Sequence, residues 1–412
     1  MSANNLFRGL FELLTLPQGG DGAALSLATT QAARRELLSV ARMEGCLPEL
    51  YARWDAAGLL SPSESIEHEQ LARRRAAVAD VLRVLPKGTL LAEADGLKRG
   101  ASTLDVLIAD FAAIGPLHEA LGRLGYRLQG AGEWLVPLRD PMHRGVATVR
   151  YAMKVATAGA VSIDVQVGGV ALDARRQLPF SDLSDQSTRL VGFACRTLAP
   201  TRDLLHRIVN YGARPAPVTV RQIADLHLLL QSHGRRIDHA WLHRRIEQLE
   251  AWTGLRQIRD AIGAKRLGTL LSWGEFGRLI EVGVARADAL STQRTRNPRI
   301  GTFLKNSFDS LPGPRTDDVA AKLARAPWLV SRVLGAGYRV RGVPVSTKTF
   351  DAPRFMRIDG ALYLATGAGL ILLSLVDLGE GARAALGERV RTGGRPVVLA
   401  RWTAGRARAG TR

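Results

Sequence analysis

Two short apolar runs each carry one aspartate where a plain core strand would carry none. In STLDVLI, Leu104, Val106 and Ile108 alternate with Thr103, Asp105 and Leu107, so a strand there puts Asp105 on the face opposite the first three. In VSIDVQV, Val161, Ile163, Val165 and Val167 form the apolar face and Ser162, Asp164 and Gln166 the other. Carboxylates collected on one sheet face are the usual holders of Mg²⁺, which takes oxygen ligands from one or two carboxylates, phosphate oxygens and water. Asp105 and Asp164 supply two such ligands, and Thr103, one strand period before Asp105, supplies only a neutral hydroxyl. Each acid also has an ordinary reading: Asp105 as an exposed acid at a strand mouth, Asp164 as the cross-strand partner of an arginine.

Upstream, Lys87 and Gly88 form a Lys-Gly pair that either offers backbone N–H groups to a phosphate at a helix start or is a plain turn. Arg99 is either a phosphate or carboxylate clamp or a solvated loop cation. His239 and His243 share a helical face at i and i+4 but lack a third metal ligand in an HExxH arrangement. His227 reads as packed within its helix. Cys46 and Cys195, the only cysteines, form no disulfide framework or zinc spacing and read as buried thiols.

The segment PKGTLLAEADGLKRGASTLDVLI resembles the motif of the uncharacterised nucleotidyltransferases, a family of the polymerase-β-like superfold. Lys87 and Gly88 match its Lys-Gly, Arg99 its arginine, Ser102 its small residue and Asp105 the second acid of its Asp-x-Asp. Thr103 departs from the pattern, standing where the family has its first Asp. VSIDVQV sits at the family's third acidic position, and Asp225 in VRQIADLHLLL at a recurrent helix Asp. The resemblance covers about residues 35 to 255. It implies Mg²⁺- or Mn²⁺-dependent transfer of a nucleoside monophosphate from a nucleoside triphosphate to a small molecule, peptide or protein. In that scheme Asp105 and Asp164 hold the metal, Asp164 helps deprotonate the acceptor, and Lys87, Gly88, Arg99 and Ser102 steady the triphosphate. Thr103 supports a second reading, a catalytically weakened member acting as a nucleotide-binding or interaction module.

The elements that must position these residues follow from periodicity. Residues 1–84 are helical, with Ser-x-x-Glu openings that suggest capped starts. Residues 85–189 form an α/β core whose one clear helix is IGPLHEALGRLGY, with Ile114, Leu117, Leu121 and Leu124 on one face and Gly125 at its stop. Residues 190–288 return to helical spacing, and 289–412 form a basic region of uncertain fold. The expected class is α+β: a polymerase-β-like core with a small mixed sheet, flanked by helical segments.

A chain of 412 residues, 46% hydrophobic and 23% charged, has ample core for two or three domains and excludes wholesale disorder. The net charge of +19 comes from 57 basic and 38 acidic residues. Of the basic ones 50 are Arg and 7 Lys, the bias of a GC-rich genome, and residues 289–412 carry a surplus of 13. That surplus suggests weak electrostatic binding of nucleic acid or an anionic surface by the last third, against the ordinary reading of solvated arginines. The uncharged run Ala361–Val376 is 16 residues long, short of the about 20 a span needs, and reads as a buried strand pair or core helix. With no transmembrane segment expected and a start that reads poorly as a secretory signal, the expected location is the cytoplasm.

Overall fold

The computed structural model describes residues 3–15, 31–93, 103–130, 133–136, 146–153, 161–172, 176–213, 216–268, 271, 273–295, 338–358, 361–374 and 397–401. The chain opens with helices α1 (Ala3–Thr15), α2 (Gln31–Met43), α3 (Leu47–Ala56) and α4 (Pro62–Val84). Ser61 and Glu64 form a reciprocal capping box at the start of α4, the capped opening that the sequence suggests. An α/β stretch follows: β1 (Leu90–Leu91), β2 (Thr103–Ile108), α5 (Ile114–Arg123), β3 (Tyr126–Gly130), β4 (Glu133–Val136), β5 (Val146–Met153) and β6 (Ser162–Val167). Next come the ribbon β7 (Gly169–Ala171) and β8 (Gln177–Pro179), short α6 (Phe180–Ser184), and edge strands β9 (Thr188–Arg189) and β10 (Arg196–Thr197). A bundle of α7 (Pro200–Ala213), α8 (Val220–His233), α9 (His239–Leu249), α10 (Trp252–Ala264) and α11 (Gly274–Thr295) precedes β11 (Tyr338–Ser346), β12 (Arg354–Ile358), β13 (Ala361–Thr366), β14 (Gly369–Ser374) and β15 (Val397–Arg401). The protein is α+β with a mixed sheet.

The sheet separates two cores. Leu104, Val106 and Ile108 of β2 and Ile163, Val165 and Val167 of β6 pack with Ile114, Leu117 and Leu121 of α5. On the other face, Leu90 and Leu107 join the helical bundle through Leu204, Ile208 and Ile223. Period-2 alternation thus sends the two halves of β2 into different cores.

The described strands of the last region continue the same sheet, in the order β15-β12-β13-β14-β11-β4-β5-β6-β2-β1-β10-β9. The junction is β11 on β4, with Tyr338 opposite Val136. The uncharged run is the strand pair β13–β14, turning at Gly369 with φ 125°. That turn docks on α5 so closely that a Cβ on Gly367 would lie 2.4 Å from the Cα of Gly115. Phe355, Leu364 and Ile371 enter the α5-side core. The boundary near 289 is therefore no break in packing. Residues 296–337 and 402–412, which hold much of the basic surplus, lie outside the described residues. Among the described residues no helix is long and apolar enough to cross a membrane.

Candidate functional site

Strands β2 and β6 pair in parallel with Asp105 level with Asp164 and Thr103 level with Ser162. The two aspartates therefore lie side by side on the bundle-facing side of the sheet, at the strand spacing of about 4.8 Å. Strand β5 runs antiparallel to β6 and places Arg150 opposite Asp164, which extends the row to Arg150, Asp164, Asp105. Arg150 donates from Nε to Asp164 Oδ1 at 2.6 Å and from Nη2 to Oδ2 at 2.8 Å. The Asp164 side chain is only 9% exposed, against 56% for Arg150. Hydrogen bonding to Asp164, with the charges of Asp164 and Asp105, raises the Arg150 pKa against the opposing effect of burial. The cross-strand reading of Asp164 is the one realised.

Beyond Asp105 the row meets a second set of charges. Ala92 N–H donates to the Asp105 carbonyl at 3.1 Å, and the next residue, Glu93, adopts φ 55°, a left-handed conformation rare for residues with a Cβ and frequent at functional sites. Its N–H donates to Asp203 Oδ1 at 2.9 Å. Asp203 also accepts from Nε and Nη2 of the fully buried Arg207, at 3.1 and 2.9 Å. The Glu93 carboxylate lies 3.9 Å from Arg207 Nη1. Burial pushes the Glu93 carboxyl up to about 7; Arg207 opposes this, and Asp105, Asp203 and Asp225 reinforce it. Burial alone would lower the Arg207 pKa, but Asp203 and Glu93 outweigh it and keep the guanidinium charged. Asp225 on α8 is buried and lies 4.0 Å from Arg221 Nε. His206 Nε2 is 3.1 Å from Gln166 Oε1 of β6, which ties α7 to the same sheet face.

The Lys-Gly pair is elsewhere. Lys87 and Gly88 are exposed and occupy a turn between α4 and β1, closed by Thr89 N–H on the Pro86 carbonyl at 3.2 Å with Gly88 at φ 92°. This corrects the helix-start reading: the turn leads from a helix into a strand and has no helix N-terminus to offer a phosphate. Because Leu90 pairs with Leu107 and Asp105 is level with Ala92, the turn lies four strand residues, about 13 Å, from Asp105. Arg99 and Ser102 lie outside the described residues. His239 approaches Glu275 at 3.7 Å and His243 packs against Trp252. His227 accepts a hydrogen bond from Trp273 Nε1 and packs on Phe11. Cys46 and Cys195 are buried free thiols.

Sequence reasoning missed Arg150, Glu93, Asp203 and Arg207. The signal for the last two was present: Asp203 and Arg207 stand at i and i+4 in RDLLHR, a spacing that pairs charges on one helix face. Nothing in the spacing of Arg150 or Glu93 points to a partner.

Searches of family models, curated proteins and solved structures match this chain to none of them.

Proposed function

We propose that this chain is a nucleotidyltransferase-like protein of the polymerase-β-like class whose metal site is weakened, and that it serves as a nucleotide-binding module rather than as an efficient transferase. The bidentate Arg150–Asp164 pair carries this reading. A resident Mg²⁺ needs ionised oxygens free to ligate it, yet both Asp164 oxygens accept from a guanidinium and Thr103 brings no charge. Among the described residues no group of three or more His, Cys, Asp or Glu side chains is placed to hold a metal. The donor set therefore does not fit a resident Mg²⁺. The side-by-side Asp105 and Asp164 lie on a parallel strand pair whose connection runs through α5 and strands β3 to β5, and this placement supports the resemblance. The outward edge of Arg150, half exposed and fixed by Asp164, supplies a preorganised donor for a phosphate oxygen.

The reading is tested by titrating the full chain calorimetrically with ATP, with and without Mg²⁺, and by incubating it with α-labelled ATP to detect self-labelling. ATP affinity is expected to change little with Mg²⁺, and labelling to be absent. Mg²⁺-dependent tightening together with label transfer would show an active transferase. No nucleotide binding under either condition would remove the nucleotide-binding role.

A further inference from the structure

A second site is built where the C-terminal strands meet the α/β core. A cavity of about 620 Å³ opens between α5, β3, β11 and the β13–β14 turn, within the range of small-molecule sites. Its polar lining is His118, Arg127, Ser346 and Thr347, with Leu128 and Val345 among its apolar walls and, among the described residues, no carboxylate. Arg127 is held in place by Nη1 donating to the carbonyls of Gly122 at 3.3 Å and Tyr126 at 3.0 Å. His118 Nδ1 lies 3.3 Å from the hydroxyl of Tyr151, which is fully buried, and this orients the ring. Neither half of the chain makes the cavity alone: His118 and Arg127 come from the core, Ser346 and Thr347 from the end of β11 and the residue after it. The Gly115–Gly367 contact sets the distance between the two halves.

We propose that this cavity binds a small phosphomonoester, with the phosphate on Arg127, His118 and the Ser346 and Thr347 hydroxyls and the organic part against Leu128 and Val345. A guanidinium and two hydroxyls are the donor types that hold phosphate through charge-assisted bonds, and among the described residues lining this cavity none is a carboxylate, the nearest acids, Glu119 and Asp351, lining the neighbouring cavity instead. The groups facing His118 are Arg127 on β3, Tyr151 on β5, Glu119 on its own helix and Asp351 beyond β11. The last two line, together with His118, a second cavity of about 480 Å³. Burial, and then the charge of Arg127, hold the His118 pKa below its ordinary value. A bound phosphate reverses that balance, so binding takes up a proton at His118.

Calorimetric titration of the full chain with phenyl phosphate and with orthophosphate, at pH 6 and pH 8 and constant ionic strength, tests the site. One saturable site is expected, tighter for phenyl phosphate than for orthophosphate. Arg127→Met should weaken it by about tenfold or more, the loss of a charge-assisted bidentate contact. His118→Gln should bind more weakly and show a smaller gain from pH 8 to pH 6 than the wild type, the comparison removing the ligand's own titration. No saturable heat at millimolar ligand would overturn the proposal, as would equal affinity for the two ligands or full affinity in Arg127→Met. Loss of binding in Arg150→Met instead would move the anion to the carboxylate row and overturn it too.

Discussion

Two arginine–aspartate pairs sit on the same side of the central sheet and differ in what surrounds them. Arg207 and Asp203, a helical turn apart on α7, are 0% and 8% exposed, whereas Arg150 and Asp164, on neighbouring strands, are 56% and 9% exposed. A fully buried pair is committed to structure, because removing one partner strands a charge away from water. A pair with one member in solvent is replaceable, since water, a metal ion or a ligand can take the place of the exposed partner. The difference teaches where chemistry can enter this protein: at the Arg150 end of the row, not at the Arg207 end.

The largest effect should come from breaking the buried pair. Asp203→Ala takes from the buried Arg207 its closest carboxylate, leaving Glu93 at 3.9 Å, and removes the acceptor that fixes the Glu93 N–H, for an expected loss of about 3 kcal/mol in denaturant unfolding. If the loss is below about 1 kcal/mol, water reaches Arg207 and the contrast between the pairs fails.

Next in size is the junction that carries the C-terminal strands. Gly367→Ala places a methyl against the Gly115 backbone and should cost about 1 to 3 kcal/mol. It should also expose the α5 segment to faster hydrogen exchange. For the same reason, removal of residues 289–412 should leave an aggregation-prone fragment rather than a folded core, because Phe355, Leu364 and Ile371 belong to the α5-side core.

Glu93 sharpens the comparison through pH. Its folded pKa of about 7 lies above the about 4.3 of an unfolded glutamate, so the folded state binds the extra proton between these values. Stability from Glu93 is therefore full below about pH 4.3 and lost as pH rises through 7. Glu93→Gln should gain stability relative to wild type as pH rises from 5 to 8. About 1 to 2 kcal/mol is expected at pH 8, discounted for screening at the exposed edge. A pH-independent difference in melting temperature would show that Glu93 ionises normally.

The smallest effect is expected at the exposed pair. Arg150→Met should cost about 1 kcal/mol or less, because Arg150 is largely in solvent and water can take its place on Asp164, and a saturating divalent cation should recover part of that loss.

Local pattern carried much of this arrangement. Alternation in STLDVLI and VSIDVQV placed Asp105 and Asp164 on the faces opposite their apolar residues, and the parallel register brings them level. The uncharged run 361–376 was legible as a buried segment rather than a membrane span because it is short and interrupted by Gly367 and Gly369, but its pattern left strand pair and core helix open, and the β13–β14 pairing decides for the strands. What alternation lacks is the identity of the neighbouring strand. Arg150 reaches Asp164 because β5 pairs with β6, and among the described residues β11 links the C-terminal strands to the core by pairing with β4. The Glu93–Asp203 bond spans 110 residues of sequence, beyond any local spacing. The Lys-Gly pair misled for a local reason: α4 runs to Val84 and β1 begins at Leu90, so the few residues between them close a turn rather than open a helix.

The central claim is that Arg150 occupies the cation's place at the carboxylate row. Its most direct test is Mn²⁺ binding, read by electron paramagnetic resonance and by the Mn²⁺-induced rise in melting temperature, in wild type, Thr103→Asp, Arg150→Met and the double variant. Wild type and Thr103→Asp should bind weakly, because Asp164 stays engaged in both. Arg150→Met should bind measurably, and the double variant most tightly, with Thr103→Asp adding a carboxylate on the same strand face. Tight Mn²⁺ binding by wild type, or by Thr103→Asp with Arg150 in place, would contradict the account.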